Sequence, residues 1–432
     1  MNKFLGYSCS ICGEEYLPDQ VTYTCPKDGG NLDVRLDEDL IRKKFQPEDI
    51  TSRADTSIWR YLPLMPVSAP TGNATPLHMV GGTPIYALSG RGKVAGAPPF
   101  VWLKDESRNP TGSFKDRASA VVVARAMDMT GTDQITPVII TASTGNAGAA
   151  LAGMAAAVGQ KAVILAPKSA PQAKIAQLLI FGATVLLVDG NYDDAFDLSI
   201  KAAEEFGWYC RNTGYNPFTA EGKKTAAFEI WEWYADLLAA GKPGSSPGGA
   251  PGYRSAGLTI FVSVGDGNII SGLHKGFKDL VGLGWLDQMP RLIGVQASGS
   301  AAIATAFKTG TEQILPVRAK TLADSISVDL PRDGIRALRA ARESGGMYVI
   351  VSDEEILKAM ADLGSAGVFA EPAGAAAYAG FSLARSRGWL EPESSVLVIN
   401  TGSGLKDVRT AMHAVKVAPV IEPTLEALKK LL

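Results

Sequence analysis

From Thr83 onward, short apolar runs alternate along the chain with longer segments that have the composition of helices. The run at 137–141 is apolar almost throughout, as is typical of a parallel strand covered by helices on both faces. Comparable runs occur at 100–104, 162–166, 184–188, 208–210, 258–264, 291–296 and 395–399. Repeated β-α units of this kind predict an α/β protein built from doubly wound open sheets.

The 432 residues are enough for two packed domains and an appendage, at roughly 150 residues per domain. We predict a small cysteine-bearing knob at 1–35, a linker at 36–75 and a body at 76–432. Within the body, a small subdomain at about 120–210 is set against a large one formed by the remainder. The Gly/Pro/Ser-rich run at 241–252 predicts a surface excursion after a helix at 225–240. A last helix is predicted at 424–432.

Charge and hydropathy exclude several classes of protein. With 42 basic and 44 acidic side chains the net charge is −2, and no basic stripe is present to support binding of nucleic acid. No apolar run approaches the ~20 residues of a membrane span, and the start of the chain lacks the apolar core of a signal peptide. We therefore expect a cytoplasmic protein that binds neither nucleic acid nor membrane.

The knob carries the spacing of a small zinc ribbon. Cys9 and Cys12 form one Cys-x-x-Cys knuckle and Cys25 begins a second, but Asp28 stands where another Cys or His would complete the set. Carboxylates ligate zinc, although they are uncommon in structural sites. Two interpretations stay open: Cys9, Cys12 and Cys25 hold zinc, or the fold is ribbon-like without metal.

Lys115 stands at the most informative point of the body. A turn-rich lead-in at 109–114 delivers it to the start of an Ala/Val-rich segment, 118–129, that predicts a helix. The positive end of a helix dipole lowers the cost of losing a proton from an ammonium. A neutral amine is what Schiff-base chemistry with an aldehyde cofactor requires. The alternative is a lysine whose stem merely packs at a helix start.

Two glycine-containing loops follow apolar strands and precede helices, where anionic ligands bind in open α/β sheets. In the loop at 142–148, Ser143 and Thr144 suit a substrate carboxylate, and Asn146 suits a cofactor phenolate oxygen. In the loop at 264–272, the backbone amides of the five residues Gly265, Asp266, Gly267, Asn268 and Ile269 converge as in an anion nest. We expect the Asp266 carboxylate to cap the following helix. The spacing of the second loop is not that of a dinucleotide site.

A third loop, at 400–407, offers hydroxyl groups. Thr401 or Ser403 could meet a pyridine nitrogen. A neutral partner leaves the ring unprotonated and a weaker electron sink, which favours elimination and replacement over transamination. Glu371, just before a predicted helix, either caps that helix or orients the active site, and we favour the cap.

In their order, the motifs at 113–117, 143–146, 265–268 and 401–407 resemble those of the fold-type II pyridoxal-phosphate enzymes, and among them most closely the threonine synthases. The resemblance covers roughly 75–415 and implies two open-sheet domains, pyridoxal 5′-phosphate and a homodimer. It implies that Lys115 holds the cofactor covalently, that Asn146 contacts the ring hydroxyl, that the amides of 265–269 bind the phosphate, and that Thr401 meets the ring nitrogen.

The same resemblance implies a substrate, O-phospho-L-homoserine. Lys115 would remove the α proton and then a β proton, phosphate would leave from Cγ, and water would add at Cβ to give L-threonine. Many family members have an arginine where this chain has Thr219. The residues at 324–333 also differ from the sequence that is usual in the family. The sequence offers other candidate anion partners: Lys168, Lys174, Lys223, Lys224 and Arg332.

These departures keep two alternatives open. One is a β-eliminating or β-replacing relative: a serine/threonine ammonia-lyase, or an O-phosphoserine-dependent synthase of the cysteate or cysteine type. The other is a binding protein or sensor without activity, against which the retention of Lys115 and all three loops argues.

Overall fold

The computed structural model describes residues 3–51, 54–70, 72, 74–88, 100–130, 136–239, 257–391 and 394–431. The predicted excursion at 241–252 lies outside them. The strands are β1 Phe4–Cys9, β2 Glu15–Tyr16, β3 Leu32–Leu36, β4 Ile85–Ala87, β5 Phe100–Asp105, β6 Ile139–Ala142, β7 Ala162–Pro167, β8 Thr184–Val188, β9 Tyr209–Cys210, β10 Leu258–Ser263, β11 Arg291–Ala297, β12 Met347–Val351 and β13 Ser395–Asn400.

The helices range from one turn to 22 residues. They are α1 Glu38–Lys44, α2 Pro47–Thr51, α3 Lys115–Asp128, α4 Asn146–Ala156, α5 Gln172–Ile180, α6 Tyr192–Phe206, α7 Phe218–Ala239, α8 Asn268–Gly282, α9 Ala302–Thr309, α10 Gly334–Glu343, α11 Asp353–Ser365, α12 Pro372–Ser386, α13 Val408–Ala411 and α14 Leu425–Lys429.

Two open sheets form the body. The larger has the order β12-β11-β10-β13-β5-β4, in which all neighbours are parallel except the edge pair β4–β5. The smaller has the order β8-β7-β6-β9 and is parallel throughout. The central strands β6, β10 and β13 are buried along their whole length, because helices cover both faces. The α/β class with two doubly wound sheets is confirmed.

The sequence placed the start of α7 seven residues too late, at 225 rather than Phe218. The Asn216 carboxamide accepts a hydrogen bond from the Phe218 amide, and the Asn216 carbonyl accepts one from the Thr219 hydroxyl, so the helix begins directly after Pro217. Gly222 lies in the part of the helix that the sequence analysis left out. Its lack of a side chain lets α7 pack against the α3 backbone at Arg117, where a Cβ would overlap the carbonyl.

The N-terminal knob is a three-stranded antiparallel sheet with the order β2-β1-β3. It is fastened to the body by the Asn31 side-chain amide, which donates to the carbonyls of Gly214 (2.5 Å) and Arg332 (3.1 Å). Arg336 of α10 pairs with Asp33 of the knob at 2.7 Å. The last helix is shorter than predicted: α14 has five residues, none of them buried, so it covers no edge within this chain.

Candidate active site

An open cleft of about 940 Å³ lies where the carboxyl ends of strands from both sheets face each other. It gathers Lys115 with the loops that follow β6, β10 and β13. Ten residues that the sequence suggested for the cofactor and the substrate line it: Lys115, Ser143, Thr144, Asn146, Gly265, Asp266, Gly267, Asn268, Ile269 and Thr401. Ser403, the other candidate partner for the ring nitrogen, is not among the lining residues. The three cysteines belong to the knob and are not part of the cleft.

The turn that presents Lys115 is tied to the loop after β13. The Phe114 amide donates to the Thr401 carbonyl at 2.9 Å, and Ser113 forms a bridge with Gly402. Behind the turn, the buried Asp116 carboxylate accepts hydrogen bonds from the Thr111 amide (2.6 Å) and hydroxyl. The first residue of α3 is therefore held against the loop that carries Thr401.

Below this turn lies a fully paired set of buried charges, the lower ion network, made of Lys104, Glu106, Arg117 and Glu229. Arg117 pairs with Glu106 and with Glu229, each at 2.7 Å, and Lys104 pairs with Glu229 at 2.6 Å. The pKa of both carboxyl groups is lowered, because the nearby cations outweigh the effect of burial. Two cations balance two anions, and the network joins α3 to α7 and β5.

The Lys115 amine is different, because it forms no hydrogen bond or ion pair with any described residue. Burial lowers its pKa, and the nearby Glu371 carboxyl opposes that effect. Removal from water disfavours the ammonium form, so burial shifts the equilibrium of Lys115 toward the neutral, nucleophilic amine.

The sequence analysis favoured Glu371 as a cap of α12, and this was wrong. The Glu371 carboxylate makes no hydrogen bond to the first turn of that helix. It faces the cleft instead, where it accepts a hydrogen bond from the Asn146 side-chain amide at 2.7 Å. Burial raises the pKa of Glu371 to about 7, with Lys115 acting in the opposite sense. A carboxyl group that titrates near neutrality thus lies beside the candidate catalytic amine.

The loop between β10 and α8 has the form of an anion cradle. None of the amides of 265–269 donates to an acceptor in the described part of the chain, and Gly267 adopts φ 94°, where a Cβ would meet the Asp333 carbonyl. The Asp266 carboxylate does not cap α8, which corrects the sequence interpretation. It accepts from the Arg332 amide at 3.2 Å. Free amides at a helix start fit the phosphate of a cofactor.

Of the five other cations suggested by the sequence, Lys174, Lys223 and Arg332 line the cleft, and among these Lys223 alone forms no ion pair with a described residue. Lys223 of α7 is fully buried, donates to the Asn268 carboxamide, and has a pKa well below its usual value, chiefly through burial and then through Lys115. The others are neutralised by carboxylates, in the pairs Lys168–Asp189, Lys174–Asp324, Lys224–Asp279 and Arg332–Asp193.

Arg211 is a cleft residue that the sequence analysis missed. It directly follows β9, a strand of only two residues, and it lines the cleft while its side chain is fully buried. The signal that could have found it is its place after a strand, since the loops after β6 and β9 meet at one sheet edge.

The knob brings together the groups that the zinc-ribbon spacing predicted, and Asp28 with them. One donor atom from each of Cys9, Cys12, Cys25 and Asp28 lies within 4.8 Å of all the others. The Cys12 and Cys25 sulfur atoms are 3.8 Å apart, and Cys9 Sγ lies 3.3 Å from an Asp28 oxygen. The cysteines are not joined by disulfides.

The chain matches the family model described as pyridoxal-phosphate dependent enzyme over residues 77–402. It is 35% identical to threonine synthase of Methanocaldococcus jannaschii over 427 residues, which cover 98% of each chain. It is 36% identical to threonine synthase of Methanosarcina acetivorans over 426 residues, 98% of this chain and 97% of that one. The chain belongs to the threonine synthase family of pyridoxal-phosphate dependent enzymes. Pyridoxal phosphate is thus its cofactor.

Solved structures agree at the level of the fold. Holo diaminopropionate ammonia lyase from Escherichia coli superposes with a TM-score of 0.62 over 88% of this chain and 97% of that one, at 20% identity. Threonine deaminase isoform 2 from Solanum lycopersicum gives 0.60 over 81% and 92%, also at 20%. Within the described part of the enzyme, no helix combines the length and apolarity needed to cross a membrane.

Proposed function

We propose that this enzyme converts O-phospho-L-homoserine and water to L-threonine and phosphate. The observation that carries the proposal is the likeness to threonine synthases over 98% of the chain, knob included. The cleft supplies the groups that such a reaction needs. These are the Lys115 amine, the unpaired amides of 265–269 and the Glu371 carboxyl group, whose pKa is raised to about 7. The ammonia-lyase alternative has weaker support, because the lyase and deaminase structures resemble this chain at only 20% identity.

The cleft residues have distinct places around the cofactor in this proposal. Lys115 binds the cofactor covalently through Nζ, and the backbone amides of 265–269 donate hydrogen bonds to the cofactor phosphate. Asn146 contacts the ring hydroxyl, and the Thr401 hydroxyl meets the ring nitrogen. When bound, the cofactor withdraws electrons from the α carbon of the amino-acid substrate.

Proton movement falls to Lys115. Once free of the cofactor, its Nζ would take the α proton and then a β proton of the substrate as phosphate leaves, and the two protons would be returned to Cγ and Cα, while water supplies the hydroxyl group at Cβ and a proton for the phosphate. Burial lowers the pKa of Lys115, which favours each release of a proton. Ser143 and Thr144, at the start of α4, bind the substrate carboxylate with their hydroxyl groups and the amides of the loop. The Asn146–Glu371 pair fixes the orientation of the Asn146 carboxamide.

The direct test is an assay of the purified holoenzyme with O-phosphohomoserine, following threonine, phosphate and ammonia together. We expect threonine and phosphate in equal amounts and no ammonia. O-phosphoserine and serine serve as competing substrates. Turnover of either of these, with none of O-phosphohomoserine, would move the enzyme to the β-eliminating or β-replacing class.

We further propose that Cys9, Cys12, Cys25 and Asp28 hold one zinc ion. The 3.8 Å separation of the Cys12 and Cys25 sulfurs supports this, because two thiolates at ~2.3 Å from a tetrahedral metal lie about that far apart. Elemental analysis is expected to give one zinc per chain in the wild type and in Cys210→Ala, whose thiol lies elsewhere. Cys12→Ser should lose it. A metal-free wild-type protein purified without chelators contradicts the proposal.

The enzyme is also proposed to act as a homodimer. Leu186 is 50% exposed and Leu187 is 56% exposed, and both belong to the edge strand β8. These exposed apolar side chains offer a contact surface for a second copy of the chain. Light scattering that gives the mass of a single chain at assay concentration argues against it.

A further inference from the structure

Arg211 is a buried guanidinium that forms no ion pair with any residue the structure describes. Its Nε donates to the Ser119 hydroxyl at 3.1 Å and its Nη1 to the Thr213 hydroxyl at 2.6 Å. Its Nη2 is buried and has no hydrogen-bond partner among the described residues. Burial lowers the pKa of Arg211 to about 10, and the buried Asp116, the carboxyl group that acts on it, is already engaged by Thr111.

An arrangement of this kind is costly for a protein that binds nothing there. A charge taken out of water must be paired and hydrogen-bonded, or it destabilises the fold by several kcal/mol. The two hydroxyl groups hold the guanidinium plane at the wall of the cleft but add no negative charge. The missing anion is therefore expected to come from a ligand, and a planar fork of N–H donors suits the oxygens of a phosphate.

We propose that Arg211 binds the phosphate group of the substrate, the group that leaves during turnover. This inference rests on the proposed function, and it assigns to one residue the recognition of the leaving group.

Arg211 and the cofactor cradle belong to different sheets. The cradle at 265–269 follows β10 in the larger sheet, and Lys223 donates a hydrogen bond to its Asn268 side chain. Arg211 follows β9 in the smaller sheet, and its hydrogen bonds go to Ser119 and Thr213 rather than to the cradle. Arg211 is nevertheless close enough to Lys115 and Lys223 to lower the pKa of both amines, so the test below must distinguish the substrate phosphate from the cofactor phosphate.

Arg211 is also well placed relative to the proposed carboxylate site. Strands β6 and β9 run parallel and pair through Ile139–Tyr209 and Ile140–Cys210, so their carboxyl ends lie side by side. The Asn212 carboxamide joins the two loops, because it accepts hydrogen bonds from the Ala142 amide (2.9 Å) and the Thr141 hydroxyl (3.0 Å). A substrate with its carboxylate at Ser143 and Thr144 therefore reaches Arg211 with its other, phosphorylated end.

The test is calorimetric titration of the holoenzyme with inorganic phosphate in a phosphate-free buffer, since the cofactor already fills the cradle. Wild type is compared with Arg211→Gln, with Arg211→Lys, and with Arg332→Gln as the matched control, because Arg332 lies at the same cleft but is paired with Asp193. We expect phosphate affinity to fall roughly 10- to 100-fold in Arg211→Gln, less in Arg211→Lys, and not in Arg332→Gln. Cofactor content and its visible absorbance should not change.

Several results overturn the inference. One is unchanged phosphate affinity in both Arg211 variants, and another is loss of affinity in Arg332→Gln instead. A third is loss of cofactor from Arg211→Gln with retention in Arg211→Lys, which would place Arg211 at the cofactor phosphate. The proposed function fails separately: a wild type that binds phosphate through Arg211 but does not turn over O-phosphohomoserine retains the anion site and loses the assigned reaction.

Discussion

The enzyme has two groups of buried charged residues that meet at the first turn of α3, where Lys115 belongs to one group and Arg117 to the other. The two groups are built differently. In the lower ion network, Arg117 and Lys104 are matched by the carboxylates of Glu106 and Glu229. In the cleft above it, Lys115, Lys223 and Arg211 are buried basic residues as well, yet none forms an ion pair within the described chain, and the pKa of each is lowered by burial.

The difference separates stability from binding. The pKa of Arg117 is raised because its carboxylate partners outweigh burial, whereas the pKa of Arg211 is lowered because burial is not compensated. Matched charges join α3 to its surroundings and are complete without a ligand. Unmatched basic groups destabilise the fold when it is empty, and an anionic cofactor and substrate remove this destabilisation on binding. Substitutions in the two groups should therefore have opposite effects on the stability of the cofactor-free protein.

The largest expected effect is on turnover, in the unmatched group. Lys115→Ala should lower kcat by at least about 10²–10⁴-fold, the usual contribution of a positioned acid–base group, before loss of covalent attachment is added. Lys168→Ala is the matched control, because Lys168 is exposed and pairs with Asp189. Steady-state assays with O-phosphohomoserine measure the change, and full activity of Lys115→Ala would remove the mechanism.

In the matched group the expected effect is on folding. Glu229→Gln leaves Arg117 and Lys104 with a single carboxylate, Glu106, and should reduce the free energy of unfolding by about 3–5 kcal/mol. Urea denaturation followed by circular dichroism gives the value, with Glu422→Gln, at an exposed position in the C-terminal tail, as the control. A loss equal to that of the control would mean that the network does not stabilise the fold.

The contrast also shows how far the sequence reaches. The apolar runs predicted eight of the ten strands in the two sheets to within a few residues, because a doubly covered parallel strand has a distinctive composition. The two strands at the edges of the larger sheet, β4 and β12, were not predicted. The predicted helix at 225–240 began too late, because the contact that places Gly222 of α7 against the α3 backbone is made between segments far apart in the sequence. The loops at 142–148, 264–272 and 400–407 were found because they follow apolar strands, and ligands in open α/β sheets bind at the carboxyl ends of strands.

What the sequence did not reveal is which charges are matched. Asn146 and Glu371 meet across 225 positions of the chain, and Arg211 reaches Ser119 across 92. Adjacent lysines illustrate the same point: Lys223 is unmatched at the cleft, whereas Lys224 pairs with Glu221 (2.5 Å) and Asp279 (2.8 Å). Such pairings depend on how sheets and helices pack, which local pattern does not encode.

A third, smaller effect concerns pH and Glu371. Its pKa of about 7 in the folded protein exceeds the ordinary value of 4.5, so the folded state binds the proton more tightly than the unfolded state. Stability from this group is complete below pH 4.5, falls as the pH rises to about 7, and is then constant. The total is on the order of 3 kcal/mol.

Urea denaturation of the cofactor-free protein between pH 4.5 and 8 measures this dependence. Glu371→Gln should lack it, and the difference between the two curves isolates the contribution of this carboxyl group. Curves that run parallel across the range would show that Glu371 titrates as an ordinary carboxyl group.

The smallest effect is the sharpest test of the comparison, because it predicts a change of sign between neighbouring residues. In the cofactor-free protein, Lys223→Met removes a fully buried, unmatched amine and should raise the free energy of unfolding by about 1 kcal/mol, partly offset by the lost bond to Asn268. Lys224→Met leaves Glu221 and Asp279 with less positive charge and should lower it.

Adding the cofactor should reverse the effect of Lys223→Met on stability, because the phosphate of the cofactor supplies the missing anion beside Asn268. Lys223→Met is then expected to bind pyridoxal phosphate more weakly, and so to gain less stability from a given cofactor concentration than wild type does. Denaturation curves with and without cofactor give both quantities. If Lys223→Met and Lys224→Met destabilise the cofactor-free protein alike, the amine of Lys223 is matched after all, and burial without a partner no longer marks the ligand-binding cations of this cleft.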